Sequence, residues 1–256
     1  MKNQINNDIF YNENFPRSNK YDPAWIIDNA MGPHPLWLTE FLLQSLQLKP
    51  GMRVLDLACG KGITSVFLAR EFGVQVYSVD FDKWDGFSTI ETGWNNAKEH
   101  GVENAVIPIR ADAQDLPFAP GFFDTIVCIN SWYYFGQDKA YLENILRFLR
   151  TGGQLGMVIN GYPNETPENV PDYLVEFLGD DQLWTWKSVS WYKDLWEKDG
   201  LVSINVADAL PNANDLLIRY YAAQLAYDPS EDDDIDIYEE DKGEYMGFVR
   251  LVATKK

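Results

Sequence analysis

The chain has 256 residues, 46% of them hydrophobic, which is enough to bury the core of one large domain. It carries 21 lysines and arginines against 39 aspartates and glutamates, so its formal net charge is −18. This charge repels polyanions, which argues against a nucleic-acid partner. No stretch approaches a membrane span, the first residues lack an apolar signal core, and Cys59 and Cys128 form no spaced framework. We therefore expect a cytoplasmic protein without membrane insertion, disulfides or bound metal.

Four stretches follow one another along what we predict to be a single domain, 1–256. Residues 1–48 combine an aromatic, asparagine-rich stretch, expected to be a lid or a wrapping arm, with a helix that follows Gly32-Pro33-His34-Pro35. Residues 49–160 alternate strand and helix patterns. Residues 161–200 contain three prolines and many aromatics, as in an inserted cap. Residues 201–256 hold two more strands around an acidic run at 231–241, which we predict to be a solvated loop.

Alternation of strands and helices is the clearest pattern in the chain. A strand, a helix and a second strand occupy about 30 residues after Gly51, as in the βαβ unit of a parallel sheet. Further helices are predicted at 88–100, before Thr151-Gly152-Gly153 as the C-cap, and through Trp191–Lys198. Seven strands in total predict a doubly wound α/β fold with helices on both faces.

A glycine-containing loop, V-L-D-L-A-C-G-K-G at residues 54–62, is the sharpest local signal. A strand ends with Asp56, and small residues follow at Ala58, Gly60 and Gly62 before the next helix. Small residues allow a ligand to approach the backbone, and the first turn of a helix offers free N–H groups. The loop therefore predicts a site for a polar or charged ligand group.

A dinucleotide-binding fingerprint is the competing interpretation of this loop. Gly60-Lys61-Gly62-Ile63-Thr64-Ser65 nearly satisfies G-x-G-x-x-G, and Asp80 is the acidic residue about 20 positions later. The third glycine is absent, and Asp56 lies where an apolar residue is usual. An NAD(P)-dependent oxidoreductase remains an alternative function.

Several segments together resemble the class I, or Rossmann-like, S-adenosylmethionine-dependent methyltransferases. They are D-L-A-C-G-K-G, V-Y-S-V-D-F, R-A-D-A-Q-D-L-P-F, F-F-D-T-I-V-C-I-N-S and R-F-L-R-T-G-G, and the resemblance covers residues 34 to about 160. It is strongest to type 11-like bacterial methyltransferases that have no assigned substrate. The resemblance implies a mainly parallel seven-stranded sheet with an antiparallel last strand, S-adenosylmethionine as cofactor and S-adenosylhomocysteine as product.

The resemblance also implies roles for residues at the strand ends. Asp56 and the loop backbone at Ala58, Gly60 and Gly62 would hold the methionine portion of the cofactor, although Ala58 stands where glycine is usual. Adenosine would be held by four residues: Asp80 on the ribose hydroxyls, Phe81 on the adenine face, Asp112 on the adenine amino group and the Ala113 N–H on a ring nitrogen. Strand ends in such sheets meet at the topological switch point, where ligands bind.

The segment N-S-W-Y-Y-F-G, residues 130–136, is expected next to the transferred methyl group. Asn130 and Ser131 would contact the methionine end or the acceptor, and Trp132, Tyr133 and Tyr134 would wall the pocket, with Trp191 adding a cap. Packing in the core is the alternative for these aromatics. His34 and Tyr133 are the candidates for a general base, and an ordinary residue preceding a helix is the alternative for His34.

Methyl transfer from a sulfonium is an in-line displacement that needs positioning more than acid–base catalysis. We therefore expect a methyltransferase acting on a small molecule, with a catalytically inactive cofactor-binding module as a second alternative. The aromatic, acidic pocket favours an uncharged or cationic acceptor over a phosphorylated one. The sequence leaves the acceptor atom open, as well as the choice between monomer and homodimer.

Overall fold

The structure is a computed structural model that describes residues 2–82, 86–230 and 235–256, without the side chains of 180–182. Its strands form one sheet in the order β3-β2-β1-β4-β5-β7-β6. Their bounds are β1 Arg53–Leu57, β2 Gln75–Asp80, β3 Val106–Arg110, β4 Phe123–Ile129, β5 Leu149–Gly161, β6 Val202–Ala209 and β7 Gly247–Lys255. Strand β7 runs antiparallel to both β5 and β6, and the remaining pairs are parallel. The predicted sheet, including its antiparallel last strand, is confirmed.

Helices cover both faces of the sheet. They are α1 Pro23–Asn29, α2 Pro35–Leu43, α3 Ile63–Phe72, α4 Thr89–Glu99, α5 Lys139–Phe148, α6 Asp172–Leu183, α7 Val189–Glu197, α8 Ala213–Tyr227 and α9 Ile235–Asp241. Several begin at a capping side chain, as where Ser88 accepts from Glu91 N–H and Asp138 accepts from Tyr141 N–H. Within the described ranges, no helix is long and apolar enough to cross a bilayer.

Two apolar clusters lie on opposite faces of the sheet, because successive strand residues point to opposite sides. Val54 belongs to the cluster that includes the N-terminal arm, α2, α3 and α8, whereas the adjacent Leu55 belongs to the cluster under α5 and α7. The central strands are buried on both faces, which explains their nearly continuous apolar sequences. The doubly wound arrangement is thereby confirmed.

Three predicted elements need correction. Helix α5 ends at Phe148, so Gly152 and Gly153 lie within β5 and do not cap the helix. Helix α8 lies between the two last strands, where the sequence analysis placed no helix. The acidic run is not simply a solvated loop: residues 231–234 lie outside the described residues, but α9 follows them.

Asp241, at the end of α9, is the reason that part of the acidic run folds inward. Its side chain is buried and accepts hydrogen bonds from the Tyr173 hydroxyl at 2.8 Å and from Met246 N–H at 3.0 Å. Buried charge is tolerated where hydrogen bonds replace water. Asp241 therefore joins α6 and α9 to the start of β7.

The N-terminal arm packs into the core. Phe10, Phe15, Tyr21 and Trp25 are all buried, and the Phe10 ring lies 5.5 Å from that of Trp37 on α2. The arm is therefore part of the apolar cluster on the α2 face of the sheet.

Candidate active site

A cavity of about 450 Å³ opens at the carboxyl ends of β1, β2, β3 and β4. These four ends are neighbours in the sheet and span about 14 Å at the usual strand spacing. The strand order reverses at β1, which has β2 on one side and β4 on the other, so the cavity lies at the topological switch point. Most of the predicted site residues line it: Asp56, Ala58, Gly60, Asp80, Phe81, Asp112, Ala113, Asn130, Ser131, Tyr133 and Tyr134.

The loop between β1 and α3 has left-handed backbone at Ala58, Gly60 and Gly62, with φ of 55°, 53° and 76°. Alanine pays about 1–2 kcal/mol for this conformation, so the surrounding contacts must hold it there. One such contact joins Gly60 N–H to the Asp80 carboxylate at 2.9 Å. Ala58, which stands where glycine is usual, thus has the left-handed backbone that glycine adopts most readily.

Gly62 does not line the cavity, contrary to the prediction. A Cβ at this position would lie 3.0 Å from the Gly93 Cα on α4. The residue also precedes α3, and its N–H donates to Cys59 O at 3.0 Å. Gly62 thus brings α3 and α4 into close contact and closes the loop behind the cavity.

The Asp80 carboxylate connects three segments around the cavity. Besides Gly60 N–H, it accepts from the Thr89 hydroxyl at 2.8 Å and from Asp82 N–H at 3.1 Å. Its side chain is 7% exposed, and it remains part of the cavity lining. A carboxylate has about four acceptor positions, so it retains capacity for a hydroxyl donor from a ligand.

Asp56 is the most deeply buried acid of the site. Burial raises the pKa of its carboxyl group to about 7, with a further increase from Asp80, while the Ser65 hydroxyl donates at 2.5 Å and opposes the shift. A carboxylate buried beside a cavity is stabilised when a cation binds next to it. Asp56 is therefore suited to an ammonium group.

The outer end of the cavity, at β2 and β3, combines an acid with an aromatic ring. Asp112 is exposed and accepts from Gln114 N–H at 2.8 Å, which orients its carboxylate. Phe81 is 49% exposed and lines the cavity together with Ala113. An exposed ring beside oriented hydrogen-bonding groups is suited to a planar heterocycle.

Asn130 and Ser131 lie where β4 ends. Asn130 has a φ of 54°, its N–H donates to Val158 O at 2.7 Å, and its side-chain oxygen accepts from Asn160 N–H at 3.2 Å. The Ser131 hydroxyl lies 3.4 Å from Ala58 O. These contacts attach the end of β4 to the glycine-containing loop on one side and to β5 on the other.

Tyr133 and Tyr134 line the cavity, but Trp132 does not. Trp132 is fully buried, donates from Nε1 to Gly136 O at 2.8 Å and packs on Trp196 of α7. The three residues form one 3₁₀ turn, so consecutive side chains point in different directions. The prediction that Trp132 walls the pocket is wrong, and core packing is its role.

Trp191 also lies away from the cavity lining. Its ring contacts that of Tyr192, at 5.0 Å between centroids, and the Lys187 side chain. Tyr192 and Trp196 of the same helix are buried in the core. The late aromatic insertion thus packs against the sheet rather than capping the cavity through Trp191.

His34 caps α2 and faces away from the cavity. Its Nδ1 accepts from Trp37 N–H at 3.2 Å, and its ring stacks on that of Trp37 at 4.0 Å. Burial lowers the pKa of the imidazole to about 3, and the nearby Arg219 adds to the effect. A general-base role for His34 at this cavity is therefore excluded by position.

Residues just before His34 line the cavity instead, and the sequence analysis missed Met31 among them. The segment Asn29–Pro33, called the lid loop below, covers the β1 and β4 ends, with the Met31 Sδ 2.9 Å from where a Gly60 Cβ would lie. The Asn96 side chain fixes this arrangement, because its amide donates to Asn29 Oδ1 at 2.9 Å and Lys61 O at 2.8 Å. No sequence pattern indicated these contacts.

Metal-binding side chains do not cluster in the described part of the chain. No group of three or more histidine, cysteine, aspartate or glutamate residues there is arranged to hold an ion. Both cysteines are free within the described residues.

Comparisons with known proteins agree with this geometry. Residues 54–153 match a family model described as a methyltransferase domain. The methyltransferase GfsG of Streptomyces halstedii is 30% identical over 175 residues, which are 67% of this chain and 60% of that protein. The ubiquinone/menaquinone biosynthesis C-methyltransferase UbiE of Shewanella pealeana is 31% identical over 140 residues, 53% of each chain. The chain thus spans a little over half the length of these two relatives.

A similar fold occurs in the geranyl diphosphate C-methyltransferase of Streptomyces coelicolor, solved with Mg²⁺, geranyl diphosphate and S-adenosylhomocysteine. The two structures share a TM-score of 0.67 and 19% sequence identity over 85% of this chain and 78% of that one. At that identity the likeness concerns the fold. Residues 54–153 are therefore a methyltransferase domain, and the chain has the Rossmann-like fold of the class I S-adenosylmethionine-dependent methyltransferases.

Proposed function

We propose that this chain is an S-adenosylmethionine-dependent methyltransferase that acts on a small molecule in one domain. The observation that carries the proposal is the convergence of Asp56, Asp80, Asp112 and Asn130 on one cavity from four neighbouring strands. The relatives GfsG and UbiE, both named as methyltransferases, support it.

The residues around the cavity fit the proposed cofactor group by group. Asp80 retains acceptor capacity for a ribose hydroxyl, and Phe81, Asp112 and Ala113 provide a ring face and polar groups for adenine. Asp56 would balance the ammonium of the methionine portion, which would lower the raised pKa of its carboxyl group.

The cofactor supplies an activated methyl group on a sulfonium, and the protein's task is to align an acceptor with it. The lid loop and the turn at Trp132–Tyr134 enclose the β1 and β4 ends of the cavity and would exclude water there. Burial and the neighbouring Tyr134 raise the pKa of the Tyr133 phenol, so this group stays protonated and can act only as a hydrogen-bond donor or acceptor, not as a base. Because His34 lies outside the cavity, catalysis depends on how the protein positions the acceptor relative to the methyl group.

The oxidoreductase alternative is disfavoured by Ser65. This residue occupies the third glycine position of the dinucleotide fingerprint, where close helix–strand packing requires the absence of a side chain. Here the Ser65 hydroxyl is buried and donates to Asp56, so the helix carries a polar group where that fingerprint needs none.

We also propose a cytoplasmic location and no nucleic-acid partner. The net charge of −18 supports the second point, and the free thiols of Cys59 and Cys128 are compatible with the first. Sedimentation of the purified protein would distinguish a monomer from a homodimer.

Calorimetry with S-adenosylmethionine and S-adenosylhomocysteine tests the cofactor, and methyl-labelled cofactor incubated with a metabolite extract tests transfer. We expect S-adenosylmethionine and S-adenosylhomocysteine to bind, and we expect a methyl-labelled product to form from the extract. Asp80→Asn should weaken binding, whereas Asp115→Asn, at an exposed position on the same loop as Asp112, should not. Absence of binding would refute the proposal, binding without transfer would support the inactive module, and binding of NAD(P) instead would support the oxidoreductase.

A further inference from the structure

The cavity has two chemically different ends. The ends of β1, β2 and β3 contribute the carboxylates of Asp56, Asp80 and Asp112. The other end, called the acceptor end below, is formed by residues of the lid loop, the start of α2 and the segment after β4: Met31, Pro33, Pro35, Tyr133, Tyr134 and Phe135. Under the proposed function, the cofactor occupies the carboxylate end, and the acceptor binds at the other.

No charged side chain lies at the acceptor end, as far as the described residues go. The charged residues of the cavity lining are the three aspartates and Lys61. The Lys61 ammonium is engaged elsewhere, because it donates to Asp28 O at 3.0 Å and lies 5.1 Å from the centre of the Phe87 ring. Polar groups near the methyl position belong to Asn130 and Ser131, which are neutral.

This composition decides between classes of acceptor. Phosphate and carboxylate groups are usually bound by arginine, lysine or several N–H donors, and the acceptor end provides no cation. A cationic acceptor would lie beside the positive sulfonium without a carboxylate of its own, and burying an unpaired charge is costly. The net charge of −18 opposes the approach of anions as well.

Apolar surface continues from the acceptor end to the mouth of the cavity. Tyr134 and Met31 are 66% and 40% exposed, which is unusual for large hydrophobic side chains. Both line the cavity. An exposed apolar patch at the mouth of a pocket typically contacts an apolar part of the ligand.

We propose that the methyl acceptor is an uncharged molecule with an apolar portion that rests on Tyr134 and Met31, and that it carries no phosphate, carboxylate or ammonium group. The inference rests on the proposed function, since it takes the carboxylate end for the cofactor. It narrows the substrate class to neutral, largely apolar acceptors.

A fractionated transfer assay tests the acceptor class. A metabolite extract is separated by cation and anion exchangers into neutral, cationic and anionic fractions, and each is incubated with the protein and methyl-labelled cofactor. Label should transfer to molecules of the neutral fraction. Transfer only to the anionic or cationic fraction would overturn the inference while leaving the methyltransferase assignment intact. If S-adenosylhomocysteine fails to bind in calorimetry, the proposed function itself fails. Binding of S-adenosylhomocysteine without transfer of label to molecules of any fraction contradicts both the proposed function and this inference.

A pair of variants tests the apolar surface. Tyr134→Arg places a cation at the mouth and should raise KM for the neutral acceptor by about tenfold, while the Kd of S-adenosylhomocysteine stays within about twofold. Tyr11→Arg is the matched control, because Tyr11 is 54% exposed and does not line the cavity. An unchanged KM in Tyr134→Arg would contradict the proposed contact.

Inorganic pyrophosphate, with and without Mg²⁺, is a direct probe for an anion subsite. Titrated into the protein saturated with S-adenosylhomocysteine, it should produce no saturable heat and no shift in Tm. Saturable binding that survives in Tyr11→Arg and depends on the presence of S-adenosylhomocysteine would overturn the proposal.

Discussion

His34 should make the protein less stable in mild acid. The imidazole is 2% exposed, its Nδ1 accepts the Trp37 N–H that begins α2, and its pKa is lowered to about 3. In the unfolded chain the same group has a pKa of about 6.5, so unfolding takes up a proton throughout the interval between these values. Its contribution to stability is therefore complete above pH 6.5 and falls as the pH decreases towards 3.

Linkage gives the size of the effect. Well below pH 6.5, each further decrease of one pH unit lowers the free energy of unfolding by about 1.4 kcal/mol. The decrease between pH 7 and pH 5 is about 2 kcal/mol. His34→Asn removes the titrating group but keeps a side-chain oxygen that can cap the helix. The variant loses the stack on Trp37 at 4.0 Å, so its stability at pH 7 should fall, by about 1 kcal/mol. Its pH dependence, however, should be flatter than that of the wild type.

Urea unfolding followed by circular dichroism at pH 5, 6, 7 and 8 measures this difference. Asp56, with a carboxyl pKa raised to about 7, contributes the opposite slope to both proteins, so it cancels in the comparison. His100→Asn is the control, because His100 is less buried and its pKa is lowered by burial beside Arg70. We expect His100→Asn to change the slope of the free energy of unfolding against pH less than His34→Asn does. Parallel stability curves for the wild type and His34→Asn would refute the reasoning.

Three further predictions concern the cavity and the loop behind it. Asp80→Asn should weaken binding of S-adenosylhomocysteine by about tenfold or more in calorimetry, because it removes the charge that faces the ligand hydroxyls; an unchanged Kd would contradict the assigned role. Gly62→Ala should lower the free energy of unfolding by about 2 kcal/mol, since its φ is 76° and its Cβ would lie 3.0 Å from Gly93 Cα. Ala58→Gly is its control, with an expected change below about 0.5 kcal/mol, because relief of left-handed strain is offset by the greater freedom of the unfolded chain. Tyr133→Phe should leave the shape of the pH–rate profile between pH 7 and 9 unchanged, because the phenol stays protonated there; a lost alkaline limb would show that Tyr133 acts as a base.

Acidic residues at strand ends were predictable because a parallel sheet leaves little freedom there. Once β1, β2 and β3 are assigned as strands, the geometry brings Asp56 and Asp80 to one edge of the sheet and leaves only a single residue between β3 and Asp112. Ala58 was equally informative, since a residue with a Cβ at a glycine position implies local strain. These inferences depend on topology and backbone conformation, which the sequence pattern constrains strongly.

Side-chain direction was much less predictable. Trp132 and Tyr133 are adjacent aromatics in one 3₁₀ turn, yet one packs in the core and the other lines the cavity. His34 turns away from the cavity that Pro33 and Pro35 line. Composition gives no information on such orientations, because they are set by the elements that pack against each residue.

Helix α8, by contrast, carried a signal that could have been used. Leu217, Tyr220 and Tyr227 are buried at spacings of three and seven residues, as on one face of a helix. The Met31 contact over Gly60 had no such signal, because it joins segments about 30 residues apart through a loop.

The position of β7 also affects how the protein can be synthesised. This strand lies between β5 and β6, and in the described sheet it is the only hydrogen-bonded neighbour of β6. During translation, β6 thus leaves the ribosome before the strand with which it pairs, and β5 waits about 90 residues for its antiparallel neighbour. The sheet is incomplete until β7, which ends at Lys255, has emerged from the ribosome. Nascent chains that stall earlier expose the unpaired edges of β5 and β6, and unpaired strand edges promote aggregation. Expression protocols that slow elongation before the last strand should therefore reduce the yield of folded protein.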